Sequence, residues 1–122
     1  MKKVLLVDNH PGFRASIQKY FVIGGMSVVE AETGAEALEV LRKQQIDVVL
    51  TDMNMPSMTG LELIEYIRTE KKWNDIPIFL LSVSENKAVV DEAMKLGASG
   101  FLQKPFSLDE FLAVAREFIP DL

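Results

Sequence analysis

The stretch V-L-L-V-D-N at residues 4–9 decides the fold, because a short apolar run ends there abruptly in polar side chains. Such a run is too short for a helix, and its continuous apolar character is typical of a strand buried on both faces of a parallel sheet. Further short apolar runs lie at residues 28–29, 48–50, 78–81 and, more weakly, 101–102. The sequence therefore predicts five short strands.

Each predicted strand is followed by a stretch with the apolar periodicity of an amphipathic helix. The predicted helices cover residues 11–22, a segment after Thr33, a segment from about Thr59, residues 86–96, and a segment from Ser107 to Ile119. Capping-box patterns at residues 33–36 and 107–110 mark two of these helix starts. Strict alternation of strands and helices implies a parallel sheet covered on both faces. Because five units are too few for an eight-unit barrel, we predict an α/β fold with an open, doubly wound, five-stranded parallel sheet.

Composition narrows the classes of function. The chain has 122 residues, with 13 basic and 18 acidic side chains and a net charge of −5. This length predicts a single domain over residues 1–122, with no length left for an effector domain. A net acidic domain is a poor binder of nucleic acid, and the absence of cysteine excludes disulfides, thiolate zinc sites and cysteine nucleophiles. No apolar run approaches the roughly 20 residues of a membrane span, and no secretory signal pattern is present, so the expected location is the cytoplasm.

Polar residues follow four of the predicted strands. They are Asp8 and Asn9 after the first, Asp52 and Asn54 after the third, Ser82 and Ser84 after the fourth, and Lys104 after the fifth. In open parallel sheets, ligands bind beyond the carboxyl ends of the strands. If the strand order is 2-1-3-4-5, the four strands are neighbours. One shallow pocket is then surrounded by Asp8, Asn9, Asp52, Ser82 and Lys104.

These residue types suit phosphoryl chemistry. Asp8 and Asp52 would repel each other unless a cation lay between them, and Mg²⁺ prefers oxygen ligands of this kind. Lys104 adds a positive charge that a phosphoryl group would favour, and the Ser82 hydroxyl can donate to a phosphoryl oxygen. An aspartate beside Mg²⁺ and a lysine can act as a nucleophile toward phosphorus and form an aspartyl phosphate.

The chain resembles the receiver domains of two-component response regulators, the CheY-like family, over essentially its whole length. The motifs that carry the resemblance are V-D-N at 7–9, T-D-M-N-M-P-S-M-T-G at 51–60, L-S-V-S at 81–84, G-A-S-G-F at 97–101 and K-P-F at 104–106. Each motif is weak alone, but all five in order are specific. The resemblance implies the flavodoxin-like fold and supports the strand order 2-1-3-4-5.

The resemblance also implies roles for individual residues. Asp52 resembles the phosphoacceptor, and Lys104 resembles the lysine that pairs with the phosphoryl group. Ser82 and Phe101 take the positions of the two switch residues, of which the aromatic one moves inward on activation. The Lys104-Pro105 peptide bond is expected to be cis. The implied partners are a sensor histidine kinase or phosphotransfer protein, and a downstream effector protein or output domain, and a phosphorylation-dependent dimer is compatible with the family.

The predicted metal site departs from the family pattern at Asn9. The implied Mg²⁺ ligands are Asp8, Asn9, Asp52 and the backbone carbonyl of Asn54, while the side chains of Asn54 and Ser84 would lie near the path of the hydrolytic water. Receivers usually carry a second acidic residue where this chain has Asn9. An amide can offer an oxygen to Mg²⁺, but it brings no charge, so we expect weaker Mg²⁺ binding that Asn9→Asp would restore.

Other interpretations of these residues remain open. The domain could be a constitutive interaction module, a pseudo-receiver with impaired Mg²⁺ binding. Asp8, Asn9 or His10 could cap the helix that begins at Pro11, and Phe101 could be an ordinary core residue. His10 is the only histidine, and its sequence neighbours suggest neither a metal set nor a triad. A receiver would catalyse only its own phosphorylation and dephosphorylation, so we do not expect an enzyme in the usual sense.

Overall fold

Five parallel strands form a single sheet in the order β2-β1-β3-β4-β5 in the computed structural model, which describes residues 1–122. The strands are β1 (Lys3–Val7), β2 (Ser27–Ala31), β3 (Val48–Asp52), β4 (Ile78–Ser82) and β5 (Gly100–Gln103). All neighbouring strands pair in parallel. The predicted fold class and strand order are confirmed.

Helices follow every strand and cover both faces of the sheet. They are α1 (Pro11–Ile23), α2 (Gly34–Lys43), α3 (Gly60–Thr69), α4 (Lys87–Leu96) and α5 (Leu108–Ala115), with a short 3₁₀ turn at Lys71–Trp73. None of these helices has both the length and the apolar character that a membrane span requires.

The two faces of the sheet bury separate hydrophobic clusters. Leu5, Val49 and Leu80 belong to a cluster of 16 buried residues that also contains side chains of α2, α3 and α4. Leu6, Leu50 and Leu81 belong to a cluster of 13 buried residues that includes side chains of α1 and α5. Consecutive residues of one strand therefore face opposite layers, which explains the continuous apolar runs of β1, β3 and β4.

The helices begin where the sequence predicts, but one predicted capping box and the end of one helix differ. The Thr33 hydroxyl accepts from the Glu36 amide, but the Glu36 carboxylate accepts from the Glu32 amide, so this capping box is only half formed. Helix α5 ends at Ala115 rather than near Ile119. Both the Phe118 and Ile119 amides donate to the Ala115 carbonyl, which tightens the chain after the helix.

Candidate functional site

The carboxyl ends of the strands bring the predicted charged residues together. Backbone hydrogen bonds continue beyond the strands, since the Asp8 amide donates to Ala31 at 3.0 Å and the Lys104 amide donates to Ser82 at 2.8 Å. These bonds extend the sheet by one residue beyond the carboxyl ends of β1 and β5, so Asp8 and Lys104 do not lie in unpaired loops. Backbone hydrogen bonds therefore fix the positions of Asp8 and Lys104 at this end of the sheet.

Lys104 joins the two aspartates. Its Nζ lies 2.5 Å from Asp8 Oδ2 and 3.1 Å from Asp52 Oδ1, and all three side chains are buried. Lys104 Nζ also lies 4.5 Å from the centroid of the Phe13 ring, which adds a cation–π contact. Buried charges need such partners, because an unpaired carboxylate loses its hydration without compensation. The structure thus brings together three of the predicted site residues, from β1, β3 and the end of β5.

The two oxygens of Asp52 have different surroundings. Oδ1 accepts from the Met53 amide at 2.9 Å and contacts Lys104, whereas Oδ2 is buried and has no hydrogen-bond partner. Gly60, at the start of α3, lies so close to the Asp52 carbonyl that a Cβ there would collide with it. Glycine at position 60 therefore lets α3 pack against the strand that carries Asp52.

His10 also belongs to the cluster, which corrects the expectation that it makes no metal set. Its Nδ1 lies 3.0 Å from Asp8 Oδ1 and 3.9 Å from Asp52 Oδ2. One ligand atom from each of His10, Asp8 and Asp52 lies within 4.8 Å of the others. The turn between β1 and α1 brings His10 back over Asp8, and the Asp52 contact depends on strand pairing that local sequence does not reveal.

The capping interpretation of Asp8 is wrong. The residue before α1 is His10, which makes no side-chain capping bond. The Asp8 carboxylate instead accepts from the His10 amide at 2.7 Å and from Lys104. Its bonds therefore serve the charged cluster and satisfy none of the free amides in the first turn of α1.

Arg14 is a supporting residue that the sequence did not indicate. It is nearly buried on α1, and its Nη1 donates to the Asp8 carbonyl at 2.6 Å. Its guanidinium also pairs with Glu30 Oε1 at 2.9 Å and Glu32 Oε1 at 3.2 Å. Arg14 thereby ties the end of β1 to the end of β2 and holds the backbone of Asp8 in place.

The remaining predicted residues lie around this cluster. Asn9 and Asn54 are exposed at the ends of β1 and β3, and Ser84 is exposed after β4. The Ser82 hydroxyl accepts from the Ser84 amide at 3.2 Å. Phe101 is half-buried on β5 and packs against the cluster that includes α3 and α4. Their proposed roles remain predictions.

The two carboxylates of the cluster fit a divalent cation that prefers oxygen ligands. Asp8 and Asp52 offer carboxylate oxygens within reach of each other, and Asp52 Oδ2 is buried without a partner. Magnesium binds through one or two carboxylates and keeps several waters, which agrees with a site of few protein ligands open to solvent at Asn9 and Asn54.

Comparisons with known proteins agree with this geometry. The family model for the response regulator receiver domain matches residues 4–116. A chemotaxis protein CheY homolog of Campylobacter jejuni is 40% identical over 107 residues, which is 86% of this chain and 82% of the relative. Chemotaxis protein CheY1 of Helicobacter pylori is 36% identical, with 86% of each chain covered. The structure of the chemotaxis response regulator CheY4 of Vibrio cholerae matches with a TM-score of 0.89 at 32% identity, covering 97% of this chain and 98% of that chain.

The motifs, the strand order and the family model lead to one conclusion. The chain belongs to the response regulator receiver domains of two-component signalling, and it is CheY-like.

Proposed function

We propose that this domain is a phosphorylation-dependent switch whose phosphoacceptor is Asp52. The observation that carries the proposal is the buried carboxylate pair in which Lys104 engages one oxygen of each aspartate while Asp52 Oδ2 has no partner. A nucleophile needs a free oxygen, and its neighbours must compensate the charge that a phosphoryl group brings. This arrangement supplies both requirements.

The reaction is transfer of a phosphoryl group from a phosphohistidine of a partner or from a small acyl phosphate. A carboxylate oxygen of Asp52 forms a bond to phosphorus, the bond between phosphorus and the leaving group breaks, and the leaving group keeps the electron pair. Lys104 is placed to pair with the new phosphoryl oxygens. If Asp8, Asn9, Asp52 and the Asn54 carbonyl held Mg²⁺, the ion would supply further charge neutralisation for this transfer.

Phosphorylation changes the local charge and thereby the surface. A phosphoryl group adds about −1.5 to −2 charge at pH 7. Ser82 would turn toward it and Phe101 would move inward, which would bias the surface formed by α4, β5 and α5 between two states. Phe101 is half-buried, so part of its ring could still move inward. Asn54 and Ser84, both exposed beside the site, would set the rate of hydrolysis.

Receiver domains in general interact with histidine kinases and downstream effectors. For this chain we propose a sensor histidine kinase or phosphotransfer protein as the donor, and an effector protein or output domain as the recipient. Phosphorylation would also allow a dimer. The domain would work in the cytoplasm and would catalyse only its own phosphorylation and dephosphorylation, so it would not be an enzyme acting on other substrates.

Intact mass spectrometry after treatment with acetyl phosphate and Mg²⁺ tests the proposal. The wild-type protein should gain the mass of one phosphoryl group, and Asp52→Ala should gain none. Asp91→Ala is a matched control, because Asp91 is an exposed carboxylate on α4, and it should gain the same mass as wild type. Failure of the wild type to gain mass would favour the constitutive pseudo-receiver.

A further inference from the structure

The carboxylate pair at the site has two distinct sides. On one side, Lys104 Nζ contacts Asp8 Oδ2 and Asp52 Oδ1. On the other side, His10 Nδ1 faces the remaining two oxygens, at 3.0 Å from Asp8 Oδ1 and 3.9 Å from Asp52 Oδ2. A lysine ammonium already neutralises the first side, so a metal ion would be favoured on the imidazole side.

We propose that His10 Nδ1 is a ligand of the cation held between Asp8 and Asp52, which gives this receiver a mixed nitrogen and oxygen site that prefers Zn²⁺-class ions over Mg²⁺. The inference rests on the proposed function only in using the same cation site. It does not depend on whether Asp52 accepts a phosphoryl group.

The distances agree with three atoms around one ion. Two ligand atoms about 2.1 Å from a metal lie roughly 3.0 Å apart at a right angle and roughly 4.2 Å apart on opposite sides of it. Both contacts of His10 Nδ1, 3.0 Å and 3.9 Å, fall between these limits. Because one ligand atom from each of the three residues lies within 4.8 Å of the others, an ion that enters could draw these side chains together.

An independent observation points to a ligand on the same side. Asp52 is 5% exposed, and its Oδ2 is the oxygen that has no hydrogen-bond partner. Burying a carboxylate oxygen without a partner is costly, and a bound ion would remove that cost. This oxygen is one of the two that face His10 Nδ1. The unpartnered atom and the imidazole therefore indicate the same position for a bound ion.

The residue types at positions 9 and 10 change which ion is favoured. Asn9 stands where a typical receiver has a second carboxylate after β1, so a hard ion such as Mg²⁺ loses a charged oxygen ligand. Imidazole nitrogen adds little for Mg²⁺ but is a common ligand of Co²⁺, Ni²⁺ and Zn²⁺. The His10 side chain is 66% exposed, so its ring can rotate onto an ion that enters from solvent.

The single histidine of this chain makes the test direct. Protein without an affinity tag, labelled with ¹⁵N only in histidine, would be titrated with Zn²⁺ and with Mg²⁺ while the two ring nitrogens are observed by NMR. Zn²⁺ should shift the Nδ1 resonance strongly, and Mg²⁺ should not. The Zn²⁺ effect should weaken in Asp52→Asn, which removes one of the two carboxylates that face the ring.

Calorimetric affinities provide the second measurement. His10→Gln should weaken Zn²⁺ binding at least about tenfold, as changes around metal sites commonly do, and leave Mg²⁺ binding within about twofold. Asn9→Asp should strengthen Mg²⁺ binding more than Zn²⁺ binding and so lower the preference. Both residues are exposed, so neither substitution is expected to prevent folding.

Three outcomes would overturn the inference. They are the absence of Zn²⁺ binding, Zn²⁺ binding that leaves the imidazole resonances unchanged, and a ratio of Zn²⁺ to Mg²⁺ affinity that is the same in His10→Gln and wild type. These failures are distinguishable from failure of the proposed function, because Asp52 would still gain a phosphoryl group from acetyl phosphate in Mg²⁺. Conversely, a protein that takes no phosphoryl group but shows the ring shift supports the mixed site alone.

Discussion

Both ends of the sheet carry a lysine paired with an aspartate, but the two pairs differ in burial. At the carboxyl end, Lys104 Nζ lies 2.5 Å from Asp8, with side-chain exposures of 9% and 0%. Near the amino end, Lys2 Nζ lies 3.3 Å from Asp121, with exposures of 36% and 72%. At the two ends of the sheet, the same two residue types thus meet in the protein interior and in water.

The difference in burial bears on the switch proposed for the carboxyl end of the sheet. A pair in water is screened and is worth little, because each partner keeps its hydration when the other leaves. A buried pair has lost that hydration, so any change of charge there must be compensated by movement or by a new partner. Adding a phosphoryl group at Asp52 therefore has structural consequences that a charge beside Lys2 would not have.

Lys104→Met is the substitution for which we expect the largest change in the free energy of unfolding. It removes the cation but keeps most of the apolar stem, and it leaves Asp8 and Asp52 buried beside each other without the ammonium. We expect the free energy of unfolding, measured by urea denaturation without divalent cations, to fall by about 3 kcal/mol.

Lys2→Met is the matched control for that experiment. It removes a lysine from the exposed pair by the same substitution, and the free energy of unfolding should change by less than about 0.5 kcal/mol. Equal losses in the two variants would contradict the argument that burial separates the two ends.

A smaller loss in the free energy of unfolding is expected for Arg14→Met. This change removes the donor to the Asp8 carbonyl and leaves Glu30 and Glu32 without their partner. Because that carbonyl is buried, we expect unfolding to become easier by about 2 kcal/mol, again from urea denaturation.

Arg42→Met is the control for Arg14. Arg42 lies on α2, and its ion pair with Glu39 is exposed on both sides, so the loss should stay below about 0.5 kcal/mol. A loss in Arg14→Met no larger than in Arg42→Met would show that Arg14 does not support the end of β1.

The sheet and the order of its helices could be predicted from local patterns. Continuous apolar runs identify β1, β3 and β4 because their neighbouring residues pack into both layers, and this requirement is visible in the sequence itself. The end of α5 was predicted too late, since Phe118 and Ile119 continue the apolar periodicity although both of their amides turn back to Ala115. Periodicity describes which residues could face the core, and it does not determine where backbone hydrogen bonding ends.

The sequence places the charged residues of the site correctly where strand ends determine their positions. Asp8 directly follows β1, Asp52 is the last residue of β3, and Lys104 directly follows β5. Parallel pairing of the strands therefore places the three residues together. His10 and Arg14 were missed as members of the site. Their contacts depend on how the β1–α1 turn and α1 fold back over the strand ends, which involves side-chain directions that no local pattern specifies.

The smallest expected change in the free energy of unfolding is that of the exposed Lys2–Asp121 pair, and it should depend on salt. Asp121→Asn removes the partner of Lys2, and at low salt it should lower the free energy of unfolding by at most about 0.5 kcal/mol. Because the Debye length falls from about 10 Å at 0.1 M to about 3 Å at 1 M salt, this small difference should vanish at 1 M. Most of the loss in Lys104→Met should persist there, since salt screens a largely buried pair much less than an exposed one. Urea denaturation of both variants at the two salt concentrations therefore shows whether the two pairs differ in salt dependence as well as in their contribution to the free energy of unfolding. A Lys104→Met loss that vanishes at 1 M salt would contradict this argument, because it would mean that salt ions screen the Lys104 pair as they screen the exposed one.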